Sequence, residues 1–345
     1  MKRVIVWSSG NVGAHAIRAI LDRPDLELVG VHTYTPTKAG TDAGVLVGAD
    51  AVGVRATSDV DLLVRRKADV VIHTPLPSLV YGADPDEDLD VICRMLASGK
   101  DVITTVGYLY PKVHGPAVVR RLERACRAGG ASFHGTGLNP GWLGELVPLT
   151  MAALVRRIDQ VVVTEISDFA RYPSPQIMLG IMGFGKRPGP FKRQGARRKD
   201  WLDGLFRESI AMMADGLGLT LDRIGSTVEL DLADAAYDVA AGTIGAGTVA
   251  GQRWRWVGRV GRREAIVHET VWRMGPSAGA SWPTGPHRVE IMGEPAMRLE
   301  FPDGWLRNGL QGTALHAVNA IDAVHAAAPG IRTFLDLPLI TGRMR

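Results

Sequence analysis

The sequence predicts an α/β protein: a doubly wound parallel sheet, followed by an α+β unit with an open, mostly antiparallel sheet. Three observations predict it. Short β-branched runs alternate with helical patterns over residues 1–150, as parallel βαβ units covered on both faces require. The first run leads directly into a serine- and glycine-rich turn that opens a helix. From about residue 225 the pattern changes to the alternation of half-buried antiparallel strands.

The elements follow in order. Val4–Trp7 reads as a strand and Asn11–Leu21 as a helix, with Val12, Ile17, Ile20 and Leu21 at helical spacing. Leu26–His32 is the next strand, Asp61–Arg66 a short helix and Asp69–Thr74 a third strand. Asp88–Ala97 is a helix stopped at Ser98-Gly99, Asp101–Thr105 a fourth strand, Ala117–Ala128 a helix stopped by Gly129-Gly130, and Ala131–His134 a fifth strand. Right-handed crossovers wind these units doubly. Asp159–Ile166 then reads as a strand and Asp200–Asp215 as a helix closed by Gly216 and Gly218. Ser226–Leu232, Thr248–Val260, Glu264–Met274 and Arg288–Glu300 read as strands, with a hairpin at Gly258–Arg263. Thr313–Ala327 is a helix expected to pack back on the first domain. The expected organisation is residues 1–150, a second domain 151–310, and a returning C-terminal helix and tail 311–345.

Composition narrows the class. The chain has 345 residues, 46% hydrophobic and 22% charged, which is globular and sized for two domains. A net charge of +4 (40 basic less 36 acidic) argues against nucleic acid as the main partner. No apolar run approaches the roughly 18 to 20 residues that span a bilayer. The apolar run Val4–Trp7 after Met1-Lys2-Arg3 ends at Ser8-Ser9-Gly10 and reads as a buried strand, not a leader, so a cytoplasmic setting without membrane contact is expected. Cys93 and Cys126 have neither disulfide nor metal spacing, so reduced thiols and no metal site are expected.

The sharpest motif is Ser8-Ser9-Gly10-Asn11-Val12-Gly13. It matches G-x-G-x-x-G at the second and third glycines, with Ser8 in place of the first, and it lies between a strand and a helix. Gly10 lets backbone approach a pyrophosphate and Gly13 lets helix pack on strand, while the Asn11 and Val12 N–H groups face an anion at the helix start. This is a Rossmann dinucleotide site. An acid at the end of the second strand would bind the ribose hydroxyls of NAD. The segment His32–Lys38 has none; its hydroxyls, Thr35 among them, and Lys38 suit a 2′-phosphate, so NADP is favoured and NAD is the alternative. The nicotinamide end is expected over Thr74-Pro75-Leu76, Thr104-Thr105-Val106-Gly107-Tyr108 and His134–Thr136. Asn139, before Pro140-Gly141-Trp142, reads as a carboxamide partner or a helix cap.

The Ser9–Gly13 turn, the Asn139–Trp142 junction and the closing Asp336–Arg343 stretch (Asp-Leu-Pro-Leu-Ile-Thr-Gly-Arg) resemble an actinobacterial branch of the dihydrodipicolinate-reductase-like NAD(P)-binding proteins. That group includes 2,4-diaminopentanoate dehydrogenases and native amine dehydrogenases, and the similarity spans nearly the whole chain. The resemblance implies NADP-dependent reduction of a C=N or C=O bond, in a homodimer whose second domain closes over a small carbonyl or amine substrate. Two departures stand out. The paired histidines, lysine and Ser-Gly-Thr stretch of true dihydrodipicolinate reductases are missing, which argues against lysine biosynthesis. Amine dehydrogenases of this type carry a glutamate in the loop after the fourth strand; here Val106–Pro111 holds no acid.

Several residue types fit the chemistry. Tyr108 or His134 would protonate a developing alkoxide. Glu165 and Asp168, near the end of the second domain's first strand, would stabilise an iminium. Trp142, Phe169, Tyr172, Met178 and Met182 would line an apolar substrate pocket, with ordinary core packing as the alternative. Gly180–Arg187 fails as a P-loop: Arg187 replaces the hydroxyl, no strand precedes it, and Pro188 and Pro190 oppose a helix. Residues 186–199 hold seven basic residues and no acid and read as a solvated loop, with an anion lid or a nucleic-acid contact as weaker readings. Trp254 and Trp256 share one strand face, as in a core or a dimer interface. A non-catalytic NADP(H) sensor remains the rival to an enzyme.

Overall fold

A computed structural model describes residues 1–302 and 309–344, and the chain divides into two compact units. The first comprises Met1–Trp142 and Asn308–Arg345, the second Leu143–Arg307. The first boundary falls ahead of residue 150 because Val147–Ala152 packs on the second unit's sheet. The second boundary, expected after residue 310, falls at Asn308, outside the described residues.

In the first unit β1 (Lys2–Trp7), β2 (Leu26–His32), β3 (Ala56–Thr57), β4 (Val70–His73), β5 (Asp101–Thr104) and β6 (Ser132–Gly135) form a parallel sheet. A late strand, β15 (Gly330–Ile331), completes the order β15-β6-β5-β4-β1-β2-β3. The helices are α1 (Asn11–Leu21), α2 (Ala43–Leu46), α3 (Val60–Arg65), α4 (Ser78–Tyr81), α5 (Glu87–Ala97) and α6 (Pro116–Gly129), with α10 (Gly309–Asn319) and α11 (Ile321–Ala326). The single expected helix 313–327 is thus two, broken at Ala320, and α10 packs on α1. A core of Ile5, Trp7, Val71, Leu89, Ile92, Leu122 and Phe133 joins one sheet face to α5 and α6.

Register aligns the carboxyl ends of the strands. Trp7 pairs with both His32 and His73, His73 with Thr104, and Thr104 with Gly135. Registered neighbours point to the same face, so His32, Trp7, His73 and Thr104 form one row, and all four are buried.

In the second unit β7 (Arg157–Asp168), β8 (Arg223–Leu232), β11 (Val249–Val260), β12 (Arg263–Arg273), β13 (His287–Glu294) and β14 (Met297–Phe301) make a mixed sheet ordered β14-β13-β7-β12-β11-β8. Only β7 with β12 is parallel. A small hairpin pairs β9 (Tyr237–Val239) with β10 (Gly242–Ile244). The expected strand 288–300 is a hairpin instead, turned by Pro295, which has no N–H for a ladder. Among the described residues the α-helices here are α7 (Val147–Ala152), α8 (Pro188–Gln194) and α9 (Ala196–Gly216). Trp254 and Trp256 stack at 5.6 Å in the sheet core, and Phe206 of α9 stacks on Trp256 at 3.9 Å.

The 186–199 segment corrects the expectation of a solvated loop. Pro188 takes the first position of α8, where its missing N–H costs nothing. Arg198 is buried: it donates to the Ile181 and Met182 carbonyls and lies 4.1 Å from the Phe191 ring centroid. Burial lowers its pKa to about 10. Arg187, Lys192, Arg193, Arg197 and Lys199 remain exposed.

Candidate functional site

The Ser8–Gly13 turn has the geometry its glycines require. Gly10 is the N-cap of α1 and supplies no side-chain cap, so the first N–H groups of the helix remain available to an anion. A Cβ on Gly13 would lie 1.9 Å from the Ser8 carbonyl oxygen, so only glycine lets helix and turn meet. Ser8, standing at the motif's first glycine, has φ 99°, a left-handed backbone uncommon outside glycine. Its Oγ accepts from Gly10 N at 3.3 Å and helps hold the turn. An uncapped helix start beside a bare Gly10 fits a pyrophosphate. Thr74 Oγ1 donates to the Trp7 carbonyl, and both Thr74 and Pro75 are buried beside the turn.

Polar groups from β2 complete this end. Ser9 Oγ donates to Thr33 Oγ1 at 2.9 Å, and Thr33 Oγ1 also accepts from Thr35 N at 3.2 Å. Lys38, half-buried on a single turn of 3₁₀ helix, donates to the Ser9 carbonyl at 3.0 Å. Its ammonium therefore stands over the nucleotide turn. The segment 33–38 contains no carboxylate.

The buried row beneath is held by neutral imidazoles. His32 stacks on Trp7 at 4.1 Å, and His73 Nδ1 shares a hydrogen bond with Thr104 Oγ1 at 2.9 Å. Burial pushes His32 down to about 4 and His73 to about 3. Buried Asp88 accepts from Ser78 N at 2.6 Å and pins the loop after β4; burial raises its pKa.

The other end of the edge differs. Thr105 N donates to the His73 carbonyl, extending β5 by one bond. Gly107 and Tyr108 then turn with φ 130° and 59°, and the half-buried Tyr108 ring packs against the core and tilts on His114 at 5.2 Å. Val106, Leu109 and Tyr110 are buried. His134 is fully buried on the α10 face: Nδ1 donates to the Arg332 carbonyl at 2.7 Å, and the ring meets Phe334 edge-on. Burial lowers it to about 4, as it does His316, which shares a 2.7 Å hydrogen bond with Thr136. Asn139 precedes a π-type helix that starts at Trp142, two residues too early to be its cap.

In the second unit Glu165 is half-buried, and its Oε1 accepts from Trp272 Nε1 at 2.9 Å and Ser167 Oγ at 3.2 Å. Ile166 N donates to His287 Nδ1 at 3.0 Å. Exposed Asp168 spends one oxygen on Ala170 N and Gly275 N, a turn-holding role. Phe169 and Tyr172 meet edge to face at 6.3 Å, and Met178 is buried in the Gln176–Ile181 turn. The expected nucleotide residues therefore gather in the first unit with Trp142, and Glu165 to Met178 gather in the second. Trp272 and His287 were not anticipated: only the β7–β12 and β7–β13 registers bring them beside the end of β7, whereas Ser167 shares that strand with Glu165. Among the described residues no group of three His, Cys, Asp or Glu could hold a metal ion. No described helix is long and apolar enough to cross a membrane.

The chain resembles known proteins over nearly its whole length. Residues 1–83 match the family described as dihydrodipicolinate reductase, N-terminus, and residues 143–345 that described as 2,4-diaminopentanoate dehydrogenase C-terminal domain. An amine dehydrogenase of Streptomyces virginiae is 32% identical, over 98% of this chain and 97% of that protein. A 2,4-diaminopentanoate dehydrogenase of Acetoanaerobium sticklandii is 25% identical, over 98% and 93%. The solved structure of an amine dehydrogenase from Mycobacterium smegmatis shares the fold, with TM-score 0.82 and 23% identity over 99% of this chain and 97% of that one.

Proposed function

We propose that this chain, which belongs to the 2,4-diaminopentanoate dehydrogenase family of NAD(P)-dependent, amine-dehydrogenase-like oxidoreductases, uses NADPH to reduce a C=N or C=O bond of a small, fairly apolar substrate. The observation that carries the choice of NADPH is the Lys38 ammonium on the Ser9 carbonyl, beside the Ser9–Thr33 hydroxyl pair and with no carboxylate in 33–38. A 2′-phosphate meets a cation and hydroxyl donors there and no repelling acid. When bound, the nicotinamide supplies the two-electron reduction. The protein's part is to hold the dinucleotide on Ser8–Gly13 and to stabilise charge on the substrate heteroatom.

For that second task Glu165 is the preferred group. Trp272 and Ser167 fix one carboxylate oxygen, and a fixed carboxylate favours a cationic C=N over a neutral C=O. Asp168 is committed to a turn, His134 is sealed in the α10 face, and Tyr108 lies on the core cluster. The protein is further taken to act as a homodimer, the state its resemblance implies; light scattering of the purified chain checks that.

The deciding assay is NADPH oxidation against ketones and aldehydes, with and without ammonium or methylamine. Turnover that requires the amine supports C=N reduction, and turnover without it carbonyl reduction. Tight NADPH binding with no turnover across the panel would establish a sensor, the reading favoured by the acid-free, packed Val106–Tyr110 loop.

A further inference from the structure

Tyr34 has no part in the phosphate chemistry above, and its setting is unusual. It lies two residues beyond the end of β2, and its hydroxyl accepts a hydrogen bond from Trp7 Nε1 at 3.0 Å. Its ring meets His32 edge to face at 4.6 Å, and His32 is stacked on Trp7 with 7° between the planes. A surface tyrosine ordinarily keeps its hydroxyl in water and its ring on the protein. Here the hydroxyl is anchored inward, on the last residue of β1, while the residue as a whole stays 49% exposed. Burial of that hydroxyl pushes the phenol up to about 12, so it stays protonated at any working pH. The result is a half-exposed tyrosine whose ring is held in a fixed orientation.

The topology says what that face borders. β1 lies between β2 and β4, and the loops leaving those two strands carry Tyr34 on one side and Leu76, also 49% exposed, on the other. Between them is the strand end that runs into the nucleotide turn. Ser9, Thr33 and Lys38 mark the ribose end of the turn, so the base of a dinucleotide lies next along the β2 side.

We propose that Tyr34 is the platform on which the adenine of the dinucleotide stacks, and that Trp7 and His32 are positioning residues that hold its ring. The proposal rests on the nucleotide reading of the Ser8–Gly13 turn. Stacking on an aromatic ring is favourable for any base, and a ring already fixed in place loses little side-chain entropy when the base arrives.

The test is calorimetric titration of wild type, Tyr34→Ala and Tyr34→Phe with NADPH and with 2′,5′-ADP, which carries the adenine and no nicotinamide. Stacking predicts that Tyr34→Ala weakens both ligands roughly tenfold, while Tyr34→Phe, which keeps the ring and loses only the hydroxyl, stays within about threefold of wild type. Equal losses in the two variants would show that the hydroxyl bond to Trp7 matters and the ring face does not, and would overturn the proposal. So would unchanged affinity for 2′,5′-ADP in Tyr34→Ala. A wild-type preference for NADH would overturn the 2′-phosphate reading alone, because the same contrast is then read on NADH and 5′-ADP.

Discussion

The Ser8–Gly13 turn and the Val106–Tyr110 loop leave the same edge of one parallel sheet, and each holds a non-glycine residue in the left-handed region, Ser8 at φ 99° and Tyr108 at φ 59°. They use that conformation in opposite ways. At Ser8 it brings backbone N–H groups and small hydroxyls to an uncapped helix start. At Tyr108 it lays a ring on the core, among buried Val106, Leu109 and Tyr110. In the proposed reading the first segment is a binding surface and the second a wall. Nucleotide binding is accordingly proposed for the first segment, and no charge-bearing chemistry for the second.

The largest expected effect strikes the binding surface. Gly13→Ala drives a methyl into the Ser8 carbonyl, so NADPH affinity should fall below detection and stability by about 2 kcal/mol or more. Titration calorimetry and thermal melts check both; a variant that binds normally would mean the turn is not the site. Next comes the contrast between wall and carboxylate. Glu165→Gln should lower kcat of amine-dependent turnover roughly 100-fold, while Tyr108→Phe stays within about twofold. The reverse ranking would return the chemistry to the Val106–Tyr110 loop.

Both segments stand over imidazoles kept neutral by burial: His32 and His73 under the first, His134 near the second. Their folded pKa values, about 4, 3 and 4, lie below the ordinary 6.5, so the unfolded chain binds more protons below pH 6.5. Stability is full above that pH and falls as pH drops toward 4, by about 2 kcal/mol per histidine at pH 5. Melting temperatures should hold from pH 7.5 to about 6.5 and then decline toward pH 5; a flat profile would contradict neutral burial. The smallest effect returns to the strain itself. Ser8→Gly should relieve the left-handed backbone and stabilise by about 1 kcal/mol, less whatever the Oγ bond contributes. A destabilised Ser8→Gly would show that this bond outweighs the strain.

The same contrast explains what the sequence could reveal. The turn is legible because its requirements are local: helix α1 spans the expected residues, and Gly10 and Gly13 do what a strand–turn–helix passage demands. The row His32–Trp7–His73–Thr104 is made by register between strands up to about 100 residues apart in sequence, and no local pattern announces it. Glu165 was visible as a carboxylate, but its orientation by Trp272, 107 residues on, was not. The 186–199 segment misled for a related reason. Its glycines and prolines signal a loop, yet the buried Arg198 and its carbonyl partners make it a helical corner.

The central claim is that the Ser8–Lys38 surface is built for a 2′-phosphorylated dinucleotide. The direct measurement is the pair of dissociation constants for NADPH and NADH, in wild type and in Lys38→Ala. The account predicts that wild type holds NADPH at least about tenfold more tightly and that Lys38→Ala erases most of that preference. Equal or tighter binding of NADH by the wild type would contradict it.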